Sequence, residues 1–327
     1  MKKKLTLAAA LIVALSLGGC AGDLKGGGGG DDANFPTHAI DLVLPFGSGG
    51  ATDIGARAMA DALSGDLKQP INSTNETGAQ QVTAVGKVLN SSRDGYTLLA
   101  DGAGSSSIQS LLPDLPFTWD DRTFIADVAT GAHAYAVGKK SGITSLDELE
   151  QKAQDNPSGF HIAWLGGTTT SDYATLQFLD AIDVDASKVV KVPFDGSGDA
   201  MQAAAAGDVD LAVGGSSAIA SLYSSGDLVP LAITTEDPNF PEIPLTADEG
   251  YDSLNLTFWV GLSGPADLPD GVVNKLSESL NTLADNGELN ESFEKIGMTV
   301  EVHTGEELTK QVNDEAKTFA DLKEAVE

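Results

Sequence analysis

Cysteine is almost missing from this chain. Cys20 is the single one in 327 residues, so no disulfide can form within it. Basic residues are scarce too: Lys and Arg number 19 against 48 Asp and Glu, a formal charge of −29. That balance excludes nucleic acid as a partner, because phosphates need a basic footprint. Arginine occurs only at Arg57, Arg93 and Arg122, none of them inside a glycine-rich loop. His38, His133, His161 and His303 are scattered without metal-ligand spacing and read as structural, so neither metal nor cofactor is expected. Beyond the first twenty residues, no apolar run is long enough to cross a membrane.

Three familiar motifs are also absent from PFGSGGATD, residues 45–53. A phosphate-binding P-loop needs a lysine that does not follow here. A dinucleotide fingerprint needs glycine or alanine where Thr52 stands, and a hydrolase nucleophile elbow centred on Ser48 needs glycine where Phe46 stands. What is present is a run of small residues, Gly47, Ser48, Gly49 and Gly50, between the apolar IDLVL and the helical pattern of IGARAMADAL. Backbone N–H groups in such a loop can come close to a ligand. The helix N-terminus that follows adds unsatisfied donors and partial positive charge, which suits an anion. A plain tight turn fits the same residues.

The N-terminus fixes the expected compartment. Lys2, Lys3 and Lys4 precede a short apolar core that ends in Leu17-Gly18-Gly19-Cys20. This resembles a signal peptide, residues 1–19, with a lipobox whose Cys20 is acylated after cleavage. Residues 20–33 contain five consecutive glycines and read as a flexible tether. The expected location is extracytoplasmic, with the chain held at the membrane through lipid alone.

From Asn34 onward, strand, small-residue loop and helix repeat, which is an α/β pattern. Four loops rich in glycine, serine or threonine follow strands, at 47–52, 102–107, 166–171 and 196–198. Loops at the same end of their strands are expected to assemble one ligand site. The candidates are Phe46, Gly47, Ser48, Gly49, Gly50, Ala51, Thr52 and Asp53; then Gly104, Ser105 and Ser106; then Trp164, Gly166, Gly167, Thr168, Thr169, Thr170 and Ser171; and Gly196. The threonines form the strongest polar cluster. Asp53 is expected to shape the site, since a bare carboxylate would repel an anionic ligand.

In this order the motifs resemble a family, the solute receptors of tripartite tricarboxylate transporters, also called Bug receptors. The resemblance rests on Pro45 to Asp53, the DGYTLL of Asp94 to Leu99, Ala163-Trp164-Leu165-Gly166-Gly167 with Asp172, Phe194 to Met201, Gly207 to Asp210 and Ser225 to Ala232. It implies a two-lobed periplasmic-binding-protein-like fold (type II) closing on a small carboxylate, passed on to membrane permease subunits. It further implies a site with Gly214 and Gly215, and a carboxylate held by backbone amides, hydroxyls and waters with little use of arginine. Lobe 1 would comprise residues 34–137 and 235–327, and lobe 2 residues 138–234, in a monomer. Tyr173 stands where many members carry histidine, and the loop after Trp164 is about one residue short. Residues 214–217 lack an acidic side chain, as in the tricarboxylate-type branch, which points to a citrate-like di- or tricarboxylate. A ligand sensor for a signalling partner fits the same motifs. An anchored hydrolase fits less well, because no nucleophile elbow or metal cluster is present.

Overall fold

The structure is a computed structural model that describes residues 34–118 and 121–326. Cys20 and the expected signal and tether lie outside the described residues. Strand β1 (Ile40–Leu44) leads into helix α1 (Ala51–Leu67), then β2 (Ile71–Asn75), α2 (Val82–Leu89) and β3 (Thr97–Asp101). The chain continues through β4 (Arg122–Gly138), α3 (Leu146–Asp155), β5 (His161–Trp164), α4 (Thr170–Ala181), β6 (Val190–Pro193) and α5 (Ser197–Ala206). It ends with β7 (Ala212–Gly215), α6 (Ala220–Ser225), β8 (Leu228–Ile233), β9 (Thr257–Pro265), α7 (Asp270–Asp285), α8 (Glu288–Glu294), β10 (Met298–Thr304) and α9 (Gly305–Val326).

Helix α1 forms because Ala56, Met59, Ala60, Leu63 and Leu67 recur at helical spacing and are buried against the sheet. Helix α5 stops at Gly207, whose φ of 91° is a left-handed C-terminal cap. Helix α3 starts at Ser145, whose hydroxyl accepts the Glu148 N–H. Among the described residues no helix is long and apolar enough to cross a membrane.

The large sheet runs β10-β4-β9-β3-β1-β2, with β1 parallel to both β2 and β3. Strand β4 is the element that joins two packing regions. Its residues 122–132 pair antiparallel with β9, while residues 133–138 pair with β7 and β8. Nearly all of β4 and β9 is buried. One apolar core takes its members from residues 35–129 and 258–298. Two others take theirs from residues 132–254, including Phe240, Ile243, Tyr251 and Leu254. The fold is α/β.

Candidate functional site

The loop from β1 to α1 is braced from beneath. Asp53 is buried and takes the Gly49 N–H on Oδ2 at 3.0 Å. Its Oδ1 accepts from Arg57 Nε at 3.1 Å and Asn75 Nδ2 at 2.7 Å. The Asn75 amide also donates to the Phe46 carbonyl at 3.0 Å, so the strand neighbouring β1 fixes the same loop. Gly50 is the N-cap of α1 and has no side chain to cover the first-turn N–H groups. Gly47 lies against the loop before α5: a Cβ there would come within 2.7 Å of the Asp195 carbonyl oxygen and 2.8 Å of Gly196 Cα. Glycine at 47 therefore serves a close approach between two loops. Gly49, with φ of 76°, meets a backbone requirement.

The loop from β5 to α4 is wrapped around Asp172. Its Oδ1 accepts the Leu165 N–H at 2.7 Å, and its Oδ2 accepts from Gly167 N at 3.0 Å and Thr169 N at 3.2 Å. Thr169 Oγ1 donates to the same carboxylate at 2.9 Å and accepts the Asp172 N–H at 3.2 Å, a reciprocal cap at the start of α4. Burial pushes the Asp172 carboxyl up to about 6, against the opposing pull of these hydrogen bonds. The Thr169 hydroxyl is thus committed to the loop. Helix α5 begins at Gly196, again an N-cap without a side chain.

These loops enclose a cavity of about 260 Å³. Phe46, Gly47, Gly50, Ala51, Thr52 and Asp53 line one side, and Gly166 with Thr168, Thr169, Thr170 and Ser171 line another. Gly196 and Ser197 come from the start of α5, Gly102, Ala103 and Gly104 from the loop after β3, and Gly215 from the end of β7. The remaining wall is Pro45, residues 77–81, His133, Leu165, residues 193–195 (with the exposed Asp195 carboxylate), Phe258 and Trp259. No lysine or arginine is among these lining residues. Instead the N-termini of α1, α4 and α5 all open onto the cavity, through Gly50, Thr169 and Gly196. Each carries about half a unit of positive charge.

Residues 79–81 are unusual. Ala79, Gln80 and Gln81 have φ of 46°, 52° and 69°, three consecutive non-glycine residues in the left-handed region. Tertiary contacts hold them there: Gln80 Nε2 donates to the Gly166 carbonyl at 3.0 Å and Gln109 Nε2 donates to the Gln80 carbonyl at 3.0 Å.

Several sequence candidates sit elsewhere. Ser48 and Gly49 are exposed at the outside of their loop. Ser105 and Ser106 are buried and line a different cavity, beside Phe117 and Arg122. The Ser105 hydroxyl donates to Asp101 at 2.6 Å, and Asp101 in turn accepts from Arg122 at 2.7 Å and Ser263 at 2.6 Å. Trp164 does not line the cavity; Lys191 Nζ lies 4.3 Å from its ring centroid. Gly167 packs under the Trp164 ring, and Gly214 packs against Ser197 and Met201. The tryptophan in the wall is Trp259, whose indole N–H donates to Glu315 at 3.1 Å. His133, read as structural, also lies in the wall. Neither it nor Gln80 and Gln81 carries a local motif, and the left-handed turn at 79–81 has no glycine to signal it.

Residues 55–327 match the family described as the tripartite tricarboxylate transporter family receptor. BugT of Bordetella pertussis is 26% identical over 291 residues, which is 88% of this chain and 88% of that one. A UPF0065 protein from the gbd 5' region of Cupriavidus necator is 28% identical over 273 residues, 81% of this chain and 80% of that one. Among solved structures, the periplasmic binding protein BugD superposes with a TM-score of 0.81 at 24% identity, covering 89% of this chain and 98% of that one. MatC from Rhodopseudomonas palustris, solved with bound malate, gives 0.80 at 25% identity, covering 88% and 99%. The architecture is the two-lobed one of periplasmic binding proteins, and the family is one of solute receptors rather than enzymes. The chain belongs to the tripartite tricarboxylate transporter receptor family.

Proposed function

We propose that the protein captures a small di- or tricarboxylate outside the cytoplasm and delivers it to the membrane permease of a tripartite tricarboxylate transporter. The observation that carries this reading is the convergence of three helix N-termini on one cavity without a lysine or arginine in its wall. At a net charge of −29, the field of the whole molecule repels an anion, so binding has to come from donors at contact. Backbone N–H groups at helix starts provide such donors. In this reading the amides of Ala51 to Asp53, of Thr168, Thr170 and Ser171, and of Gly196 and Ser197 hold the ligand carboxylates, and Phe46 and Phe258 cover its carbon skeleton. The malate bound in MatC is a ligand of the proposed class.

The two lobes close over the cavity. Most core membership groups residues 34–131 with 257–326 and residues 132–256 together, while one bridging cluster packs Tyr173 against Ala103, Trp259 and Phe319. Phe240, Ile243, Tyr251 and Leu254 pack with the second set of cores.

Titration calorimetry with malate, citrate and tricarballylate tests the reading. Binding is expected, with affinity changing less than about threefold between low and high salt, because screening over roughly 8 Å acts on exposed charges and not on contact amides. No heat from any di- or tricarboxylate refutes it. Acylated Cys20 is proposed as the membrane anchor, and Cys20→Ser should shift the protein to the soluble fraction with unchanged affinity. A variant that still sediments with membranes counts against the anchor.

A further inference from the structure

Most polar groups at the cavity are donors or are already satisfied. Both oxygens of Asp53 and both of Asp172 accept hydrogen bonds from their own loops or from Arg57 and Asn75. His133 differs. Its Cα faces Gly215 across the β4–β7 pair, its backbone N–H donates to Thr234 Oγ1 at 3.0 Å, and its ring centroid is 5.5 Å from that of Phe258. The residue is 1% exposed and lines the cavity, yet neither Nδ1 nor Nε2 has a hydrogen-bond partner. Burial pushes the ring's pKa down to about 4, opposed in part by the hydrogen-bonding pull of the Gly214 backbone, whose geometry falls short of a formed bond.

A neutral imidazole has one N–H and one lone pair in either tautomer. A carboxylate offers only lone pairs, so it can satisfy the N–H and never the other nitrogen. Gln81 presents the same demand: it is buried, and its Oε1 has no partner. Burying an acceptor without a donor is unfavourable, and sites of this kind discriminate strongly against analogues that lack the donor.

We propose that His133 is a specificity-determining residue that accepts a hydrogen bond from a ligand hydroxyl, so that the cavity prefers a hydroxycarboxylate over the same acid without its hydroxyl. The proposal rests on the carboxylate reading above. An ammonium group is the competing donor, because the exposed Asp195 carboxylate also lines the cavity; aspartate titrated beside malate separates the two, and tighter binding of aspartate overturns the hydroxyl assignment.

Matched pairs decide it: succinate and malate, glutarate and hydroxyglutarate, tricarballylate and citrate, each titrated calorimetrically into the full mature chain. In whichever pair binds, the hydroxy acid should bind at least about tenfold tighter. His133→Leu should bring that ratio to within about threefold, mainly by weakening the hydroxy acid, and His133→Gln, which keeps an acceptor, should restore part of it. Equal affinities within a pair for the native protein overturn the proposal while leaving the carboxylate reading intact, and this arm needs no variant. A ratio unchanged in a cooperatively melting His133→Leu protein also overturns it. No heat from any acid refutes the carboxylate reading and this proposal with it.

Discussion

Replacing Gly47 by alanine puts a methyl group between two loops that follow different strands, β1 and β6. The new Cβ would lie 2.7 Å from the Asp195 carbonyl oxygen and 2.8 Å from Gly196 Cα, closer than real Cβ contacts come, and both neighbours are backbone. Gly47 is not among the residues with positive φ, so alanine suits its own loop and the whole effect falls on the contact between loops. Overpacking of this kind costs about 1–3 kcal/mol. If ligand binds the closed arrangement, the loss appears in affinity, roughly five- to 150-fold at 1.4 kcal/mol per tenfold. Gly196→Ala probes the same contact from the other side, since its Cβ would meet Gly47 Cα at 2.9 Å. Gly49→Ala is the control. It meets nothing within 4 Å but has φ of 76°, so its effect is local strain of about 1–2 kcal/mol, read as a lower melting temperature rather than lost affinity. Calorimetry with the tightest-binding acid measures the affinity, and small-angle scattering of the saturated protein measures closure. An affinity for Gly47→Ala within about twofold of the native value, with an unchanged scattering profile, would refute the reasoning.

Asp127 sets a pH dependence of stability. Burial raises its carboxyl from 3.8 to about 7, and the Glu315 charge adds to this, while hydrogen bonds from Gln311 and His303 and the charge of His303 oppose it. The folded state therefore binds a proton more tightly than the unfolded state, and this contribution, full below pH 3.8, is lost as pH rises through about 7. Asp127→Asn should raise the melting temperature at pH 8 and flatten its decline between pH 5 and 8; a lower melting temperature at pH 8 would count against the assignment. Asp172→Ala removes the acceptor for the Leu165, Gly167 and Thr169 amides, and should destabilise by about 2–4 kcal/mol in urea titrations while weakening ligand binding. Unchanged stability would mean the loop holds without its carboxylate.

Local sequence determined a good part of this protein. The IDLVL–PFGSGGATD junction became strand, glycine loop and helix, because alternation, small residues and helical spacing act over a few positions. Gly207 ended α5 for the same short-range reason. The scarcity of lysine and arginine in the composition is matched by a cavity wall that holds neither. Strands β4 and β9, by contrast, have no polar–apolar alternation to read, since both of their faces are buried. Trp164 is next to Gly166 and Gly167 in the chain, yet Trp259 reached the cavity, because wall membership depends on which strand lies beside which. The left-handed turn at Ala79 to Gln81 exists against local preference, held by carbonyls more than twenty residues away in sequence or by side chains from them. Nothing near His133 marks it as a cavity residue; pairing of β4 with β7 places it opposite Gly215 and buries it without a partner. Loop chemistry is encoded within a few residues, whereas a cavity is made where distant loops meet, and only long-range packing decides which side chains are left facing it.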